Sequence, residues 1–133
     1  MVNKDEIISS YLLYKLISHD NCAVERETLK LRMKSLRDKL SNEGQMVSID
    51  FIKNGNSIYS NKLNELLHFG ISANIIKEDM RKGKYYSCIY SLSSVGRDYL
   101  QNMPKEYKDV LTSDLIKKSG SLIQKITLDI QQP

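Results

Sequence analysis

The residue types that most often carry chemistry are scarce in this chain. Its two histidines, His19 and His68, fall in segments with helical patterns, and neither has partners at the spacing of a catalytic triad or a metal site. Its two cysteines, Cys22 and Cys88, form one remote pair without a further Cys or His ligand nearby, which predicts two reduced thiols with structural roles. No glycine-rich loop of the Walker or dinucleotide-binding type is present. The sequence therefore predicts a protein that is not an enzyme and that uses no cofactor or metal.

Phosphate binding is the chemistry that the basic residues could carry out. Arg81, Lys82 and Lys84 surround Gly83 in a short segment between two strand-like runs. Such a segment is typical either of a nucleic-acid contact or of a solvated hairpin tip. Its position between two strands keeps nucleic-acid binding as a hypothesis.

A second basic group lies on the helix predicted over residues 24–42, where six basic residues stand against three acidic ones. The members of this group that we select as candidate phosphate contacts are Lys30, Lys34 and Arg37. A solvated helix surface is the alternative interpretation of the same face.

Composition sets the class of protein. The 133 residues suit one domain, and 41% hydrophobic with 27% charged residues argue against a disordered chain. Lys and Arg outnumber Asp and Glu by 20 to 16, a formal charge of +4 that permits nucleic-acid binding without requiring it. No apolar run approaches the roughly 18 residues of a membrane span, and the first residues lack the pattern of a signal peptide. We therefore expect a cytoplasmic protein without membrane contact.

Two helices are predicted in the first third of the chain. Residues 5–19 carry apolar side chains on more than one helical stripe, which predicts a helix buried on two sides. Residues 24–42 have one apolar face, and Gly44 is the predicted stop. The following residues 46–52 alternate between apolar and polar, which indicates a half-buried strand or extended segment, and residues 54–56 should break it.

The second half of the chain predicts a helix, a hairpin and further helices. Ser60 is the predicted N-cap of a helix that runs to about Phe69 and stops at Gly70. Residues 71–77 and 85–92 are the predicted strands of a hairpin. Ser93 or Ser94 should cap the next helix, and Pro104 could open another. The apolar spacing over residues 105–130 predicts a helical arm that is interrupted near residues 119–121.

This order of elements carries a resemblance to a known family. The resembling features are the capped helix from Ser60, the helix-ending Phe69-Gly70-Ile71, the basic tip Arg81-Lys82-Gly83-Lys84 and the closing stretch Tyr90-Ser91-Leu92-Ser93-Ser94-Val95-Gly96. Together they resemble the winged helix-turn-helix family, in many members of which the closing stretch is Tyr-x-Leu-Thr-x-x-Gly. Here Ser93 stands where threonine is usual. The resemblance covers about 40 residues well and extends less securely to residues 5–42, and its motifs are more specific for fold than for function.

The resemblance implies a fold class, α+β, mainly α with a small β-hairpin. It implies a winged-helix domain over residues 1–103, and we assign residues 104–133 to a C-terminal helical extension and possible dimerisation arm. The helix from Ser60 would then enter the major groove of double-stranded DNA as a recognition helix, while the basic hairpin tip would lie on a neighbouring backbone. The polar side chains that this helix would offer to base edges are Asn61, Lys62, Asn64, Glu65 and His68. Of these we select Asn61, Lys62, Asn64 and His68 as candidate DNA contacts.

These expectations give two hypotheses for function. The first is a DNA-binding transcriptional regulator that acts as a homodimer, because the first helix and the tail carry more apolar surface than one small core obviously needs. The recognition helix is nearly neutral, so phosphate contacts would have to supply most of the affinity. The second hypothesis is a protein–protein interaction module on the same scaffold.

Overall fold

The computed structural model describes residues 3–19, 23–81, 87–103, 107 and 109–131, with only the backbone of Arg81. The described residues form an α+β fold, which confirms the predicted class. The helices are α1 (Lys4–His19), α2 (Arg26–Asn42), α3 (Asn61–Ser72), α4 (Ser94–Gln101) and α5 (Ser113–Asp129). The strands are β1 (Val24–Glu25), β2 (Ile52–Asn54), β3 (Ser57–Tyr59), β4 (Ile76–Arg81) and β5 (Ser87–Leu92).

Helix α1 is the centre of the core. Nine of its 16 residues are buried, and they occupy more than one face of the helix. Around it pack α2, α4, α5 and strand β5. The predicted helix buried on two sides is therefore confirmed, and its apolar surface is used inside the chain.

The start of α2 differs from the prediction. Val24 and Glu25 form β1, which pairs antiparallel with Tyr90 and Ile89 of β5, and the helix begins at Arg26. Val24 is almost fully buried at this edge of the sheet. A β-branched side chain that packs against a neighbouring strand is more favourable in extended backbone than in a first helical turn, so tertiary pairing shortens the helix.

The connection between α2 and α3 contains a hairpin that the prediction missed. Val47 and Ile49 are buried and Ser48 is exposed, as the predicted alternation requires, but the strand begins later, at Ile52. Gly55 then has a φ of +63° and is the first of two loop residues between β2 and β3. This is the position that a type II′ turn gives to glycine. Residues 54–56 therefore turn the chain back on itself and do not merely break a strand.

Helix α3 begins as predicted and ends later. The hydroxyl of Ser60 accepts a hydrogen bond from the backbone N–H of Leu63 at 3.1 Å, which confirms the N-cap. The predicted stop at Gly70 is wrong, because the helix continues through Ser72. A Cβ on Gly70 would collide with the side chain of Ile76, so this glycine permits close packing and does not end the helix.

A three-stranded sheet with the order β1-β5-β4 confirms the predicted hairpin and corrects its bounds. The first strand begins at Ile76 and not at Ile71, since residues 73–75 form the turn after α3. It continues to Arg81, whose partner is Ser87. Arg81 therefore belongs to a strand, while Lys82 and Lys84 of the predicted tip lie outside the described residues.

The start of α4 connects to the start of β4. Ser93, and not Ser94, is the N-cap, since its Oγ accepts from the N–H of Gly96 at 3.0 Å. The same Oγ donates to the carbonyl oxygens of Asn74 at 2.5 Å and Ile75 at 3.1 Å. Gly96 packs so closely on Ile75 that a Cβ there would collide with the Ile75 carbonyl oxygen.

Helix α5 is continuous, so the predicted interruption near residues 119–121 is wrong. Ser119 is buried and donates its hydroxyl to the Leu115 carbonyl at 2.7 Å within the helix. The apolar face of α5 packs on α2 and α1, and the Nε of Arg32 donates to the carbonyl of Ile130 at 2.8 Å. Helix α5 thus packs into the same core as α1 and α2. The proposed helix opening at Pro104 lies outside the described residues.

Packing of the tail bears on the expected homodimer. The buried apolar residues of α5 are Leu115, Ile123 and Ile126. Because they and the apolar residues of α1 are covered within one chain, they supply no excess surface for a second copy. In the described part of the chain, none of the helices combines the length and apolar character that a membrane span requires.

Gly96 in α4 and Gly120 in α5 should respond to alanine with opposite signs. Gly96→Ala places a methyl group against backbone, so we expect the free energy of unfolding to fall by about 2–3 kcal/mol. Gly120→Ala meets nothing within 4 Å and should raise it by about 0.5–1 kcal/mol through helix propensity. Urea unfolding followed by circular dichroism measures both. A neutral Gly96→Ala would show that α4 does not dock on Ile75 as described.

Candidate nucleic-acid interface

Helix α3 has one face in the core and one face free. Leu63, Leu66, Leu67 and Gly70 are buried, which fixes the rotation of the helix about its axis. The outward face consists of exposed side chains at helical spacing: Asn61, Glu65, His68 and Ser72. Because these side chains stand on a capped helix with a packed underside, their positions are set by the core.

The four predicted recognition residues occupy different environments. Asn61 is exposed, and its Oδ1 accepts a hydrogen bond from the Tyr59 hydroxyl at 2.6 Å, which leaves its amide N–H donors available. His68 is also exposed, two turns along the same face. Asn61 and His68 are therefore the predicted residues that the structure places on the outward face.

The other two are bound within the chain. Lys62 extends toward α1 and pairs with Glu6, with 3.0 Å between Nζ and Oε1. Asn64 lies on the opposite flank of α3 and accepts a hydrogen bond from the Arg26 guanidinium at 3.2 Å. Both interactions hold α3 against its neighbours, so these two side chains can contact DNA only by exchanging their partners.

A cavity of about 380 Å³ separates this second flank of α3 from the sheet. Its polar lining comes from Arg26, Asn64, His68, Glu78 and Tyr90. Burial raises the pKa of Tyr90 well above its ordinary value, the Arg26 charge acts against this shift, and the hydrogen bond with Glu78 adds to it. The Tyr90 hydroxyl is therefore neutral and forms part of the packing between α3 and the hairpin.

The three candidate cations of α2 are each paired with an acidic side chain of the same helix. Lys30 pairs with Glu27 and Lys34 with Asp38, each at 3.0 Å, and Arg37 also binds Asp38, at 2.7 Å. Partial burial acts to raise the pKa of Asp38, but the hydrogen bonds and charges of Arg37 and Lys34 outweigh it and lower the pKa below its ordinary value. The carboxylate is thus kept ionised between two cations.

Arg37 has a structural role that the sequence did not reveal. Its Nη1 donates to the carbonyl oxygen of Ile49 at 2.9 Å, and its guanidinium carbon lies 5.0 Å from the centre of the Phe51 ring. These contacts fasten the extended segment after α2 to the helix. We therefore leave Arg37 out of the candidate interface and keep Lys30 and Lys34. Each pairs with a solvent-exposed carboxylate, so both ion pairs are weak enough to exchange for phosphate, but only 14% of the Lys30 side chain is exposed, against 40% for Lys34.

The β2–β3 hairpin adds surface that was not selected from the sequence. Ile52 and Tyr59 are directly opposed across the two strands, and their side chains are 57% and 46% exposed. Lys53, on the other face of β2, is exposed as well. The signal that could have found this hairpin is the pair Gly55-Asn56 between short runs of strand-forming residues.

The described residues offer no group of three or more His, Cys, Asp or Glu side chains that could hold a metal ion. Among the described residues, the chemistry available at this surface is hydrogen bonding from α3 and charge from Lys30, Lys34 and Lys53. Neither a scan of protein-family models nor a search of curated proteins gave a match to this chain.

Proposed function

We propose that the protein is a non-enzymatic DNA-binding regulator with a winged helix-turn-helix architecture. The observation that carries the proposal is the free outward face of α3, a capped helix held rigidly by its buried side beside the β4–β5 hairpin. A helix of this kind can enter the major groove, where exposed polar side chains meet base edges. The basic residues that end β4 and follow it in the sequence would meet the adjacent phosphates.

Further support comes from the junction between the hairpin and α4. Ser93 caps α4, and Gly96 allows α4 to pack on Ile75. Both residues belong to the stretch that carries the family resemblance. One feature departs from the resemblance, since residues 43–60 separate α2 from α3, whereas a helix-turn-helix usually has a turn of about 3–4 residues. The extra length forms the β2–β3 hairpin beside the N-terminus of α3, so it enlarges the surface next to the recognition helix.

The proposed contacts fall into two groups. Asn61 can pair bidentately with adenine, and His68 can bind an acceptor or donor on a base edge. Arg81, Lys82 and Lys84 would bind phosphates and supply most of the affinity, since the outward face of α3 carries no exposed cation. Lys30 and Lys34 would add weaker phosphate contacts, and Lys62 and Asn64 would join only after leaving their partners in the chain.

Binding to duplex DNA should be strongly salt-dependent. We expect fluorescence anisotropy with a random-sequence duplex to show binding at low salt that falls steeply as salt rises, since bound phosphates release counterions. Lys82→Ala combined with Lys84→Ala should lower the slope of log affinity against log salt by about 2 and weaken binding to all sequences alike. Absence of binding at low salt would refute the proposal.

A matched control is available on α5. Lys117 and Lys125 are exposed there, so their double alanine variant removes the same charge from a different surface. If this control lowers the salt slope as much as the hairpin variant does, the attraction comes from overall charge and the hairpin has no special part in it.

Substitutions on α3 should alter sequence preference. Asn61→Ala and His68→Ala remove exposed groups whose loss leaves the core intact, and a base-specific contact is worth about 1–3 kcal/mol of discrimination. Selection of bound duplexes from a random library, followed by sequencing, should therefore give a changed motif for each variant. An unchanged motif with uniformly weaker binding would mean that α3 contacts phosphates and does not read bases.

The second candidate function is protein interaction, and the exposed cross-strand pair Ile52 and Tyr59 favours it. Apolar side chains grouped on an exposed sheet are typical of association surfaces, and a two-fold dimer would bring this face against its copy. The expected homodimer would then form through the β2–β3 hairpin and not through the ends of the chain.

Sedimentation velocity over a range of concentrations tests this dimer. Ile52→Lys should shift the protein toward monomer because it places a charge in the apolar contact. Leu128→Lys on α5, where Leu128 is 66% exposed, provides the control and should leave the distribution unchanged. A wild-type protein that stays monomeric at every concentration would exclude the homodimer.

A further inference from the structure

Another cavity, of about 270 Å³, lies between α1, α3 and α4. Four of the ten aromatic residues of the chain line it: Tyr14, Phe69, Tyr99 and Tyr107. The remaining lining side chains are small or apolar, apart from Ser10 and the carboxylate of Glu6. The cavity is thus an aromatic pocket with one acidic group.

We call these four aromatic side chains the aromatic wall, and within it Tyr99 contacts both Tyr14 and Tyr107. The rings of Tyr14 and Tyr99 meet edge to face, with 5.9 Å between their centroids and 83° between their planes. Burial raises the pKa of Tyr99 to about 12, and the neighbouring Tyr107 hydroxyl adds to this shift. Burial also raises the pKa of Tyr14. The hydroxyls of Tyr14 and Tyr99 are therefore neutral at physiological pH, and their rings keep the negative faces of uncharged phenols.

Phe69 is the member of this wall that core packing does not explain. It lies on the flank of α3 that faces α1, and it is 62% exposed. A large aromatic side chain so far exposed contributes little to the core. At the edge of the cavity, however, its ring is available to a bound molecule.

Glu6 gives the cavity a negative charge, which Lys62 compensates in part. Oε1 of Glu6 pairs with Lys62 at 3.0 Å, while Oε2 has no hydrogen-bond donor among the described residues. None of the residues that line the cavity in the described part of the chain carries a positive charge. A cation could therefore enter beside Glu6 without meeting a lining cation, and its main competitor is Lys62.

We propose that this cavity binds a small alkylated ammonium ion. The faces of aromatic rings attract cations, and quaternary ammonium groups are the ligands for which aromatic pockets are best suited. The methyl groups of such an ion would also pack on Ile7, Ala73 and Ile75, the apolar part of the lining. The volume suits a compact ion such as tetramethylammonium or choline, and Glu6 supplies the opposite charge at the rim.

The experiment uses the full chain without DNA, so its outcome is independent of the proposed DNA binding. Tetramethylammonium chloride and choline chloride are titrated into the protein and followed by NMR, at constant total ionic strength. We expect saturable binding, with the ligand methyl signal shifted upfield by the ring currents of the surrounding aromatic side chains. The neutral isostere of choline, 3,3-dimethylbutan-1-ol, should bind at least about tenfold more weakly, because it lacks the charge that the rings and Glu6 attract.

Variants on the rim separate charge from simple apolar packing. Phe69→Leu keeps an apolar side chain but removes the ring, and it should lower the affinity for tetramethylammonium by about fivefold. Glu6→Gln should also lower it, whereas Lys62→Ala should raise it by removing the competing ammonium. Phe51→Leu changes the other phenylalanine of the chain, which lines a different cavity, and should have no effect.

Three results would overturn the proposal. The first is the absence of saturable binding by either cation, and the second is equal affinity for choline and its neutral isostere. The third is a Phe69→Leu variant with unchanged affinity and an unchanged methyl shift. Because Phe69, Glu6 and Lys62 are all at the surface, these variants should fold, and their thermal unfolding is measured to confirm it.

Discussion

The backbone of Ile75 is the point at which α3, the sheet and α4 are joined. Its N–H donates to the carbonyl of Gly70 in α3 at 2.8 Å, and its carbonyl accepts from the backbone N–H of Ser93 at 3.0 Å. The Ser93 hydroxyl binds the same carbonyl and caps α4, and Gly96 permits the close approach that these bonds require. Because these groups are satisfied by one another inside the protein, a change at any of them leaves a buried polar group without its partner. The orientation of α3 and the shape of the aromatic cavity both depend on this junction.

Local signals in the sequence predicted the elements whose cause is local. A hydroxyl that caps a helix acts within three residues, so Ser60 could be identified from its neighbours. Gly70 and Gly120 could not, because the same residue type either ends a helix, permits a close contact or is merely tolerated. At Gly70 the decisive atom belongs to Ile76, and its proximity is a property of the folded chain. The α5 helix continues through Gly120 because its packed apolar face outweighs a propensity cost of about 1 kcal/mol.

The charges of α2 show the same limit. The sequence gives the number of charged residues, and the fold decides which of them are paired. The count of basic residues on α2 was available from the sequence, and it indicated an electropositive face. The spacing of Lys30 from Glu27 and of Lys34 from Asp38 also indicates two helical ion pairs. The contacts of Arg37 could not be predicted in this way, because the Ile49 carbonyl that it binds comes from the extended segment beyond the helix. An excess of charge along a helix therefore overstates the field that a ligand meets. If the protein binds DNA as proposed, Lys82 and Lys84 would supply a larger share of the phosphate contacts.

Lys62 connects the two surfaces of α3, because it lies seven residues before Phe69 on the flank toward α1 and pairs with Glu6. If it leaves Glu6 to contact DNA, the carboxylate at the rim of the aromatic cavity loses its compensating charge and attracts a cation more strongly. Conversely, a cation bound beside Glu6 would weaken the ion pair between Glu6 and Lys62, and the Lys62 ammonium would then be available to DNA. Such coupling is reciprocal by thermodynamic necessity, so the two binding events would favour each other. The coupling follows from one ion pair, and it would be absent if Lys62 faced the outward side of the helix with Asn61 and His68.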